Sequence, residues 1–161
     1  GFDVSGASFD GDGNVKDWWS KNDKLKFDEV TKKLSQEFSK YSVAPNIFVN
    51  GEFTLTENIA DLGGTNIAYD ALQLYLKDHP EKNVKFEGYT QEELFFMSYA
   101  RSWREKITDE SLKNLVKSDP HSPPYYRVNG VLENMDTFHE LFKTKKGDKL
   151  YKEPKDRIKI W

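Results

Sequence analysis

The stretch TLTENIADLGG, residues 54–64, decides how the chain is interpreted, because it fits two different structures. Thr54 and Glu57 match the S/T-x-x-E pattern of a capping box, in which the glutamate accepts a hydrogen bond from the N-cap amide. Glu57 and Asp61, however, lie four residues apart, and a helix places both carboxylates on one side. Two glycines follow, although each costs on the order of 1 kcal/mol relative to alanine inside a helix. The stretch therefore predicts either an ordinary helix start or a carboxylate presented to a ligand.

The composition is that of a hydrated globular chain that predicts one domain over residues 1–161. At this length about 68–70% of the unfolded surface is buried on folding. The 24 basic and 27 acidic residues are well mixed and give a net charge of -3, which argues against a nucleic-acid partner. The sequence contains no apolar run near the roughly 20 residues of a membrane helix. Cysteine is absent, which excludes disulfides and thiolate metal sites.

Apolar spacing predicts a mainly α fold. Periodicity and capping patterns predict helices at about 23–41, 55–77, 109–118 and 133–143, and a further helix that follows a Thr90–Glu93 capping box. The segment 118–130 contains three prolines and predicts a loop followed by a brief extended piece. On the helix at 55–77, six apolar residues are expected to face inward: Ile59, Leu62, Ile67, Ala71, Leu74 and Tyr75.

A calcium loop is one alternative for the segment DGDGN at residues 10–14. Asp10, Asp12 and Asn14 occupy positions one, three and five of an EF-hand loop. That loop also needs glycine at position six and glutamate at position twelve, where this chain has Val15 and Lys21. The spacing therefore predicts a plain turn.

Several separated motifs together resemble one protein family. ENIADLGG at 57–64 is similar to the Glu-Asn-Ile-Ala-Asp-x-Gly-Gly motif of the neprilysin and endothelin-converting-enzyme zinc endopeptidases. GFDVSGASFDGDGNVKDWW at 1–19, HSPPYYRVNG at 121–130 and a final tryptophan after a basic tail agree with it in the same order. The resemblance covers essentially the whole chain and is greatest to the bacterial peptidase O type, because the animal members carry cysteines. It implies the C-terminal helical portion of a zincin-like catalytic domain.

The resemblance also implies a role for individual residues. Glu57 matches the third zinc ligand, and Asp61 matches the acid that orients a ligand histidine. His121 matches the histidine that donates to the oxyanion of the tetrahedral intermediate, and Arg127 matches the arginine that binds a substrate carbonyl. Trp103 falls where an aromatic residue lines the pocket for the residue after the scissile bond, so a hydrophobic residue is expected there in the oligopeptide substrate.

Each of these residues also has an ordinary interpretation. Without the resemblance, His121 is a loop histidine, Arg127 a surface arginine and Trp103 a core residue on an amphipathic helix. His79 and His139 are interpreted as structural. Asp3 is a further candidate, since the resemblance implies that it steadies the second histidine ligand.

The family's His-Glu-x-x-His motif, with two zinc ligands and the general base, does not occur in the chain. The resemblance implies that this motif ends just before Gly1. We therefore expect a fragment that is inactive alone and holds no catalytic zinc, although the complete enzyme uses zinc. A non-catalytic helical interaction module is the alternative. The uncovered helix face around residues 59–67 predicts self-association, and the family predicts an extracytoplasmic location.

Overall fold

The computed structural model describes residues 3–160, which form six α-helices and one short antiparallel hairpin. This confirms the mainly α prediction, and the hairpin is the only sheet among the described residues. The elements in chain order are α1 (Lys21–Phe38), β1 (Ser42–Ala44), β2 (Ile47–Phe48), α2 (Leu55–Asp78), α3 (Gln91–Ser102), α4 (Asp109–Ser118), α5 (Pro124–Leu132) and α6 (Asp136–Phe142).

Side chains cap the starts of α3 and α4. The Thr90 hydroxyl accepts from the Glu93 amide at 3.2 Å, and the Glu93 carboxylate accepts from the Thr90 amide at 2.7 Å. This confirms the predicted capping box of α3. The Thr108 hydroxyl likewise accepts from the Ser111 amide at 3.2 Å and begins α4.

The segment after the prolines is helical, so the brief extended piece predicted there is wrong. α5 begins at Pro124, where a fixed φ suits the first helical turn and the missing N–H needs no partner. The amides of Tyr126 and Arg127 both donate to the Pro123 carbonyl, at 2.8 and 3.1 Å. The cluster of prolines therefore starts a helix and places Arg127 in its first turns.

The inward face of α2 is also shorter than predicted. Ile59 and Leu62 are buried, but Ile67 is 66% exposed and Leu74 is 63% exposed. Ala71 and Tyr75 are exposed as well, so the prediction is wrong for four of the six residues. Among the described residues, the second half of α2 has one buried apolar side chain, Leu76. α2 packs against α1 and α5, and most of its buried apolar residues lie in its first half.

One hydrophobic cluster joins all the helices except α4, and α4 contributes no buried residue among those described. Its largest fully buried side chains are Phe38 of α1 and Phe96 of α3. The cluster contains Ala7, Phe27, Leu34, Phe38, Val49, Ile59, Leu62, Phe96, Val128, Val131, Leu132, Met135, Phe138 and Ile158. Through this cluster α2 and α5, which carry most of the candidate site, are packed as one unit.

Gly130 marks a close approach of α5 to α1. A Cβ at Gly130 would lie 2.8 Å from the Phe38 ring and 3.0 Å from the Tyr41 ring. We expect Gly130→Ala to lower the free energy of unfolding by about 1–3 kcal/mol, as over-packing does in a full core, measured by urea denaturation. Gly64→Ala is the matched helical control, since nothing lies within 4 Å of its Cβ. There we expect a gain of up to about 1 kcal/mol. Equal effects at both positions would contradict the packing argument.

Candidate functional site

The start of α2 does not use Glu57 as a cap, so the capping-box interpretation of residues 54–57 is wrong. The Thr54 amide donates to the Asn50 carbonyl at 3.0 Å instead of to Glu57. The Thr54 hydroxyl also donates to that carbonyl, at 3.0 Å, and accepts from the Asn58 side-chain amide at 2.9 Å. The Thr54 groups that a capping box uses therefore have other partners, and Glu57 forms no cap hydrogen bond.

Glu57 meets His121 across the site. Its Oε2 lies 3.1 Å from His121 Nε2, and both side chains are partly exposed. On the other side of the ring, His121 Nδ1 lies 2.7 Å from Asp119 Oδ1. The protonated imidazole can therefore donate from both nitrogens at once, one to each carboxylate. The structure brings together two of the predicted site residues that are far apart in the chain.

Asp119 is a site residue that sequence reasoning missed. Its Oδ1 accepts from the His121 backbone amide at 2.9 Å as well as from the ring. These two hydrogen bonds, the backbone one first, hold the pKa of the Asp119 carboxyl below its usual value. The sequence did contain a signal for this contact, because an aspartate side chain commonly accepts a hydrogen bond from the backbone amide two residues further along the chain.

Asp61 and Arg127 form a second pair, from α2 and α5. Arg127 donates through Nε to Asp61 Oδ2 at 2.6 Å and through Nη2 to Oδ1 at 2.7 Å. The side chains are only 11% and 13% exposed, and the geometry is the two-pronged one that guanidinium and carboxylate favour. Among the described residues, Nη1 has no acceptor, so it is available to another group. The sequence proposed both residues but did not pair them.

Trp103, at the end of α3, supports the Arg127 side chain. The guanidinium carbon lies 3.9 Å from the centroid of the Trp103 ring, a cation–π contact. The Tyr99 hydroxyl donates to the Arg127 carbonyl at 2.9 Å. Trp103 packs against the core and also lines a cavity of about 190 Å³ together with His121 and Arg127. Trp103 therefore packs against the core and also borders a cavity, and its contact with a substrate residue stays a prediction.

The remaining candidates have simpler surroundings. His79 is exposed and lies against the Tyr75 ring. His139 is buried, bonds the Glu133 carbonyl through Nε2 at 2.9 Å, and has a pKa lowered chiefly by burial.

Asp3 accepts from the Gly6 amide at 2.7 Å and lines a cavity of about 750 Å³ beside α2. Asp10 accepts from two backbone amides of its own loop, at 3.0 Å each, as in a plain turn.

The histidine, aspartate and glutamate side chains of the site determine whether it can hold a metal ion. Within residues 3–160, no group of three or more His, Asp or Glu side chains is placed to hold a metal ion. The Glu57 carboxylate is partly exposed and not committed to a cap, so it fits as one ligand of a larger set. The other ligands of such a set would have to come from outside these residues.

Comparison with known proteins identifies the family of the chain. The sequence profile of peptidase family M13 matches residues 1–158. The chain belongs to that family. Neprilysin-1 of Caenorhabditis elegans is 38% identical over 165 residues, covering 100% of this chain and 22% of that protein. Mouse endothelin-converting enzyme 1 is 37% identical over 161 residues, covering 99% of this chain and 20% of that enzyme.

Solved structures agree on the fold of this M13 chain. The Mycobacterium tuberculosis zinc metalloprotease Zmp1, in complex with an inhibitor, matches with a TM-score of 0.90 and 37% identity, over 100% of this chain and 25% of Zmp1. PepO from Lactobacillus rhamnosis HN001 matches with a TM-score of 0.80 and 30% identity, over 98% of this chain and 23% of PepO. The M13 chain thus spans about a quarter or less of the relatives it matches, and has the fold of a portion of their length.

The M13 chain shows no membrane-crossing helix in the part that the structure describes: none of the helices there is both long and apolar enough.

Proposed function

We propose that the chain is part of a zinc-dependent metalloendopeptidase that hydrolyses oligopeptides, with Glu57 as one zinc ligand. The observation that carries the proposal is the Glu57 carboxylate, which is free of its helix cap and lies 3.1 Å from His121 Nε2. Membership of peptidase family M13 supports it. An anionic glutamate suits zinc because it offsets part of the metal charge. Family membership does not favour the alternative of a non-catalytic interaction module.

The other residues have distinct roles in this proposal. Zinc, when bound, supplies a Lewis acid that polarises the scissile carbonyl and activates water. His121, held by Asp119, donates from Nε2 to the substrate oxygen on which negative charge develops. Arg127 keeps Nη1 for a substrate backbone carbonyl while Asp61 holds the rest of the guanidinium. Asp61 also orients a ligand histidine supplied by another part of the polypeptide.

The substrate preference, the enzyme type and the location are each proposed from a single observation. The cavity beside Trp103 is also lined by Leu112, Leu115 and Val116, which favours a hydrophobic residue after the scissile bond. The absence of cysteine favours the bacterial peptidase O type. An extracytoplasmic location is supported by a human relative, 39% identical, named membrane metallo-endopeptidase-like 1. The continuous core supports a single domain over residues 1–161.

The chain alone is proposed to be inactive and to hold no catalytic zinc. It contains three histidines, at 79, 121 and 139, and no His-Glu-x-x-His motif. Two zinc ligands and a general base are therefore missing from its own sequence. Zinc titration of the chain by calorimetry tests this, and a tight one-to-one site that disappears in Glu57→Gln would contradict it.

The metal role of Glu57 is tested in the complete enzyme. We expect Glu57→Gln to lose zinc on dialysis under conditions in which the parent enzyme retains it, because the amide is a weaker ligand than the carboxylate. Metal content by atomic absorption is the measurement, and peptide hydrolysis should fall with it. Glu52→Gln, an exposed glutamate just before α2, is the matched control and should keep its zinc. Full retention of zinc in Glu57→Gln would refute the assignment.

Self-association is proposed for the chain alone, between two copies through the exposed part of α2. The uncovered face predicted at 59–67 is in part wrong, because Ile59 and Leu62 are buried. Ile67 and Leu74 are more than half exposed there, and Ile67 borders the cavity of about 750 Å³. Apolar surface of this kind favours association. We expect sedimentation velocity to show a concentration-dependent dimer that weakens in Ile67→Lys/Leu74→Lys. A strictly monomeric profile at high concentration would contradict the prediction.

A further inference from the structure

A buried chain of hydrogen bonds runs behind the Glu57–His121 contact. The Ser122 hydroxyl donates to Asn58 Oδ1 at 2.7 Å, and Asn58 Nδ2 donates to the Thr54 hydroxyl at 2.9 Å. The Thr54 hydroxyl donates in turn to the Asn50 carbonyl at 3.0 Å. Asn58, Ser122 and Thr54 are 1%, 2% and 2% exposed. These three side chains are among the few polar groups buried in the described part of the chain.

The direction of these bonds is fixed by the chemistry of the side chains. A serine or threonine hydroxyl has one proton to donate, and the asparagine side chain donates only from its nitrogen and accepts only at its oxygen. Thr54 uses its proton on the Asn50 carbonyl, so it accepts from Asn58, whose oxygen then accepts from Ser122. Each hydrogen bond depends on the next one, because an unpaired polar group costs free energy where water cannot replace its partner.

The position of this chain of bonds relates it to the candidate site. Asn58 directly follows Glu57 on α2, and Ser122 directly follows His121 in the segment between α4 and α5. The Asn58–Ser122 bond therefore joins the residues that directly follow Glu57 and His121 in the sequence, and so it connects the same two segments. No helix or strand contains residues 119–123, so that segment has no backbone ladder of its own to fix its distance from α2.

The Glu57–His121 contact is a poor candidate for setting that distance by itself. The two side chains are 34% and 40% exposed, and an ion pair that reaches water contributes little to structure. The buried bond, by contrast, is shielded from competing water. The distance between the carboxylate and the imidazole thus depends on the distance between the two backbone segments, and the Asn58–Ser122 hydrogen bond connects those segments.

We infer that Asn58 and Ser122 are positioning residues, whose mutual hydrogen bond holds the Glu57 carboxylate and the His121 imidazole in register for the reaction. The inference rests on the proposed function for its catalytic consequence, but the geometric part concerns this chain alone. Removing the hydroxyl of Ser122 leaves Asn58 Oδ1 unpaired and lets the His121 segment shift away from α2. Hydrolysis should then fall, although neither residue touches substrate.

The geometric test uses nuclear Overhauser contacts in the 161-residue chain. We expect a cross-peak between the Glu57 side-chain methylene protons and the His121 ring in the parent chain, and its loss in Ser122→Ala. Thr31→Ala is the matched control. It removes a buried hydroxyl from α1 whose 3.2 Å bond goes to a backbone carbonyl, far in sequence from both segments. The cross-peak should persist in the control. Its persistence in Ser122→Ala would overturn the inference.

A double variant separates positioning from stability. Asn58→Leu/Ser122→Ala replaces both partners by apolar groups, which leaves no unpaired atom between them and recovers much of the stability lost by Ser122→Ala. The cross-peak should remain absent although the thermal midpoint recovers. A double variant that regains both the midpoint and the cross-peak would show that the bond serves stability only, and would overturn the inference.

The kinetic test uses the complete enzyme. Both Ser122→Ala and the double variant should lose about 10- to 100-fold in kcat, as when an outer partner of a metal ligand is removed, with KM little changed. Thr31→Ala should keep the parent kcat. An unchanged kcat in the double variant would overturn the catalytic part. If the parent enzyme hydrolyses no peptide, the proposed function fails, and the cross-peak experiment still decides the geometric part.

Discussion

Replacing Arg127 by methionine is expected to lower the free energy of unfolding of this chain by about 3–5 kcal/mol, the cost of breaking a buried ion pair from one side. The Asp61 carboxylate is only 11% exposed and accepts two hydrogen bonds from Arg127, at 2.6 and 2.7 Å. Methionine keeps most of the side-chain volume and the packing on Trp103, but it leaves Asp61 as an unpaired charge. Urea denaturation at neutral pH measures the loss.

Two further variants identify the cause of this loss. In Arg127→Met/Asp61→Leu no charge remains, and apolar replacement of a buried pair is often neutral or stabilising, so most of the stability should return. Lys24→Met breaks the exposed Lys24–Asp28 pair of α1 and should have no resolvable effect, because both side chains are about half exposed. If the double variant is as unstable as Arg127→Met, then packing on Trp103 and not the charge of Asp61 explains the loss.

The same pair connects stability at this position with the substrate contact proposed for Arg127. Nε and Nη2 of Arg127 are committed to Asp61, and the guanidinium face lies on Trp103. The side chain is thus fixed before any ligand arrives, so Nη1 loses little freedom when it binds a carbonyl. A lysine at this position would keep the charge but lose the two-pronged geometry, and Arg127→Lys should therefore recover only part of the stability and of the hydrolysis.

Local patterns predicted much of the helical structure. The capping box at Thr90 and Glu93 and the bounds of α4 depend on neighbouring residues, and the structure has them as expected. The same pattern at Thr54 and Glu57 was misleading, because Asn50 and Asn58 compete for the Thr54 groups. A capping motif predicts what a short segment can do by itself, and a buried neighbour changes the outcome.

The candidate site was predicted only in part because its contacts are long-range. The Asp61–Arg127 bonds join residues 66 positions apart, and the Ser122–Asn58 bond joins residues 64 positions apart. Periodicity within one helix carries no information on such partners. The resemblance to M13 peptidases identified the residues but not which of them pair. The prolines at 123–124 favoured a loop in the prediction, although they begin the helix that brings Arg127 to Asp61.

His121→Ala is expected to lower kcat of the complete enzyme by about 10²–10³-fold, the usual loss when one donor to a developing oxyanion is removed. KM should change little, because the donated bond strengthens only in the transition state. Hydrolysis of a fluorogenic oligopeptide with a hydrophobic residue after the scissile bond measures both constants. His79→Ala is the control, since that ring is exposed and lies against Tyr75, and its kcat should match the parent.

Zinc content distinguishes this role from metal ligation. His121 is bound to Asp119 through Nδ1 at 2.7 Å and faces Glu57 through Nε2 at 3.1 Å, so its loss removes a neighbour of the proposed zinc ligand but not that ligand. His121→Ala should therefore retain zinc while Glu57→Gln loses it. Asp119→Asn should fall between the parent and His121→Ala in kcat, because the His121 ring keeps a hydrogen-bond partner at Nδ1 but the amide is a weaker acceptor than the carboxylate. A His121→Ala enzyme with parental kcat would mean that the oxyanion is stabilised by another group, and Arg127 through Nη1 would then be the first residue to test.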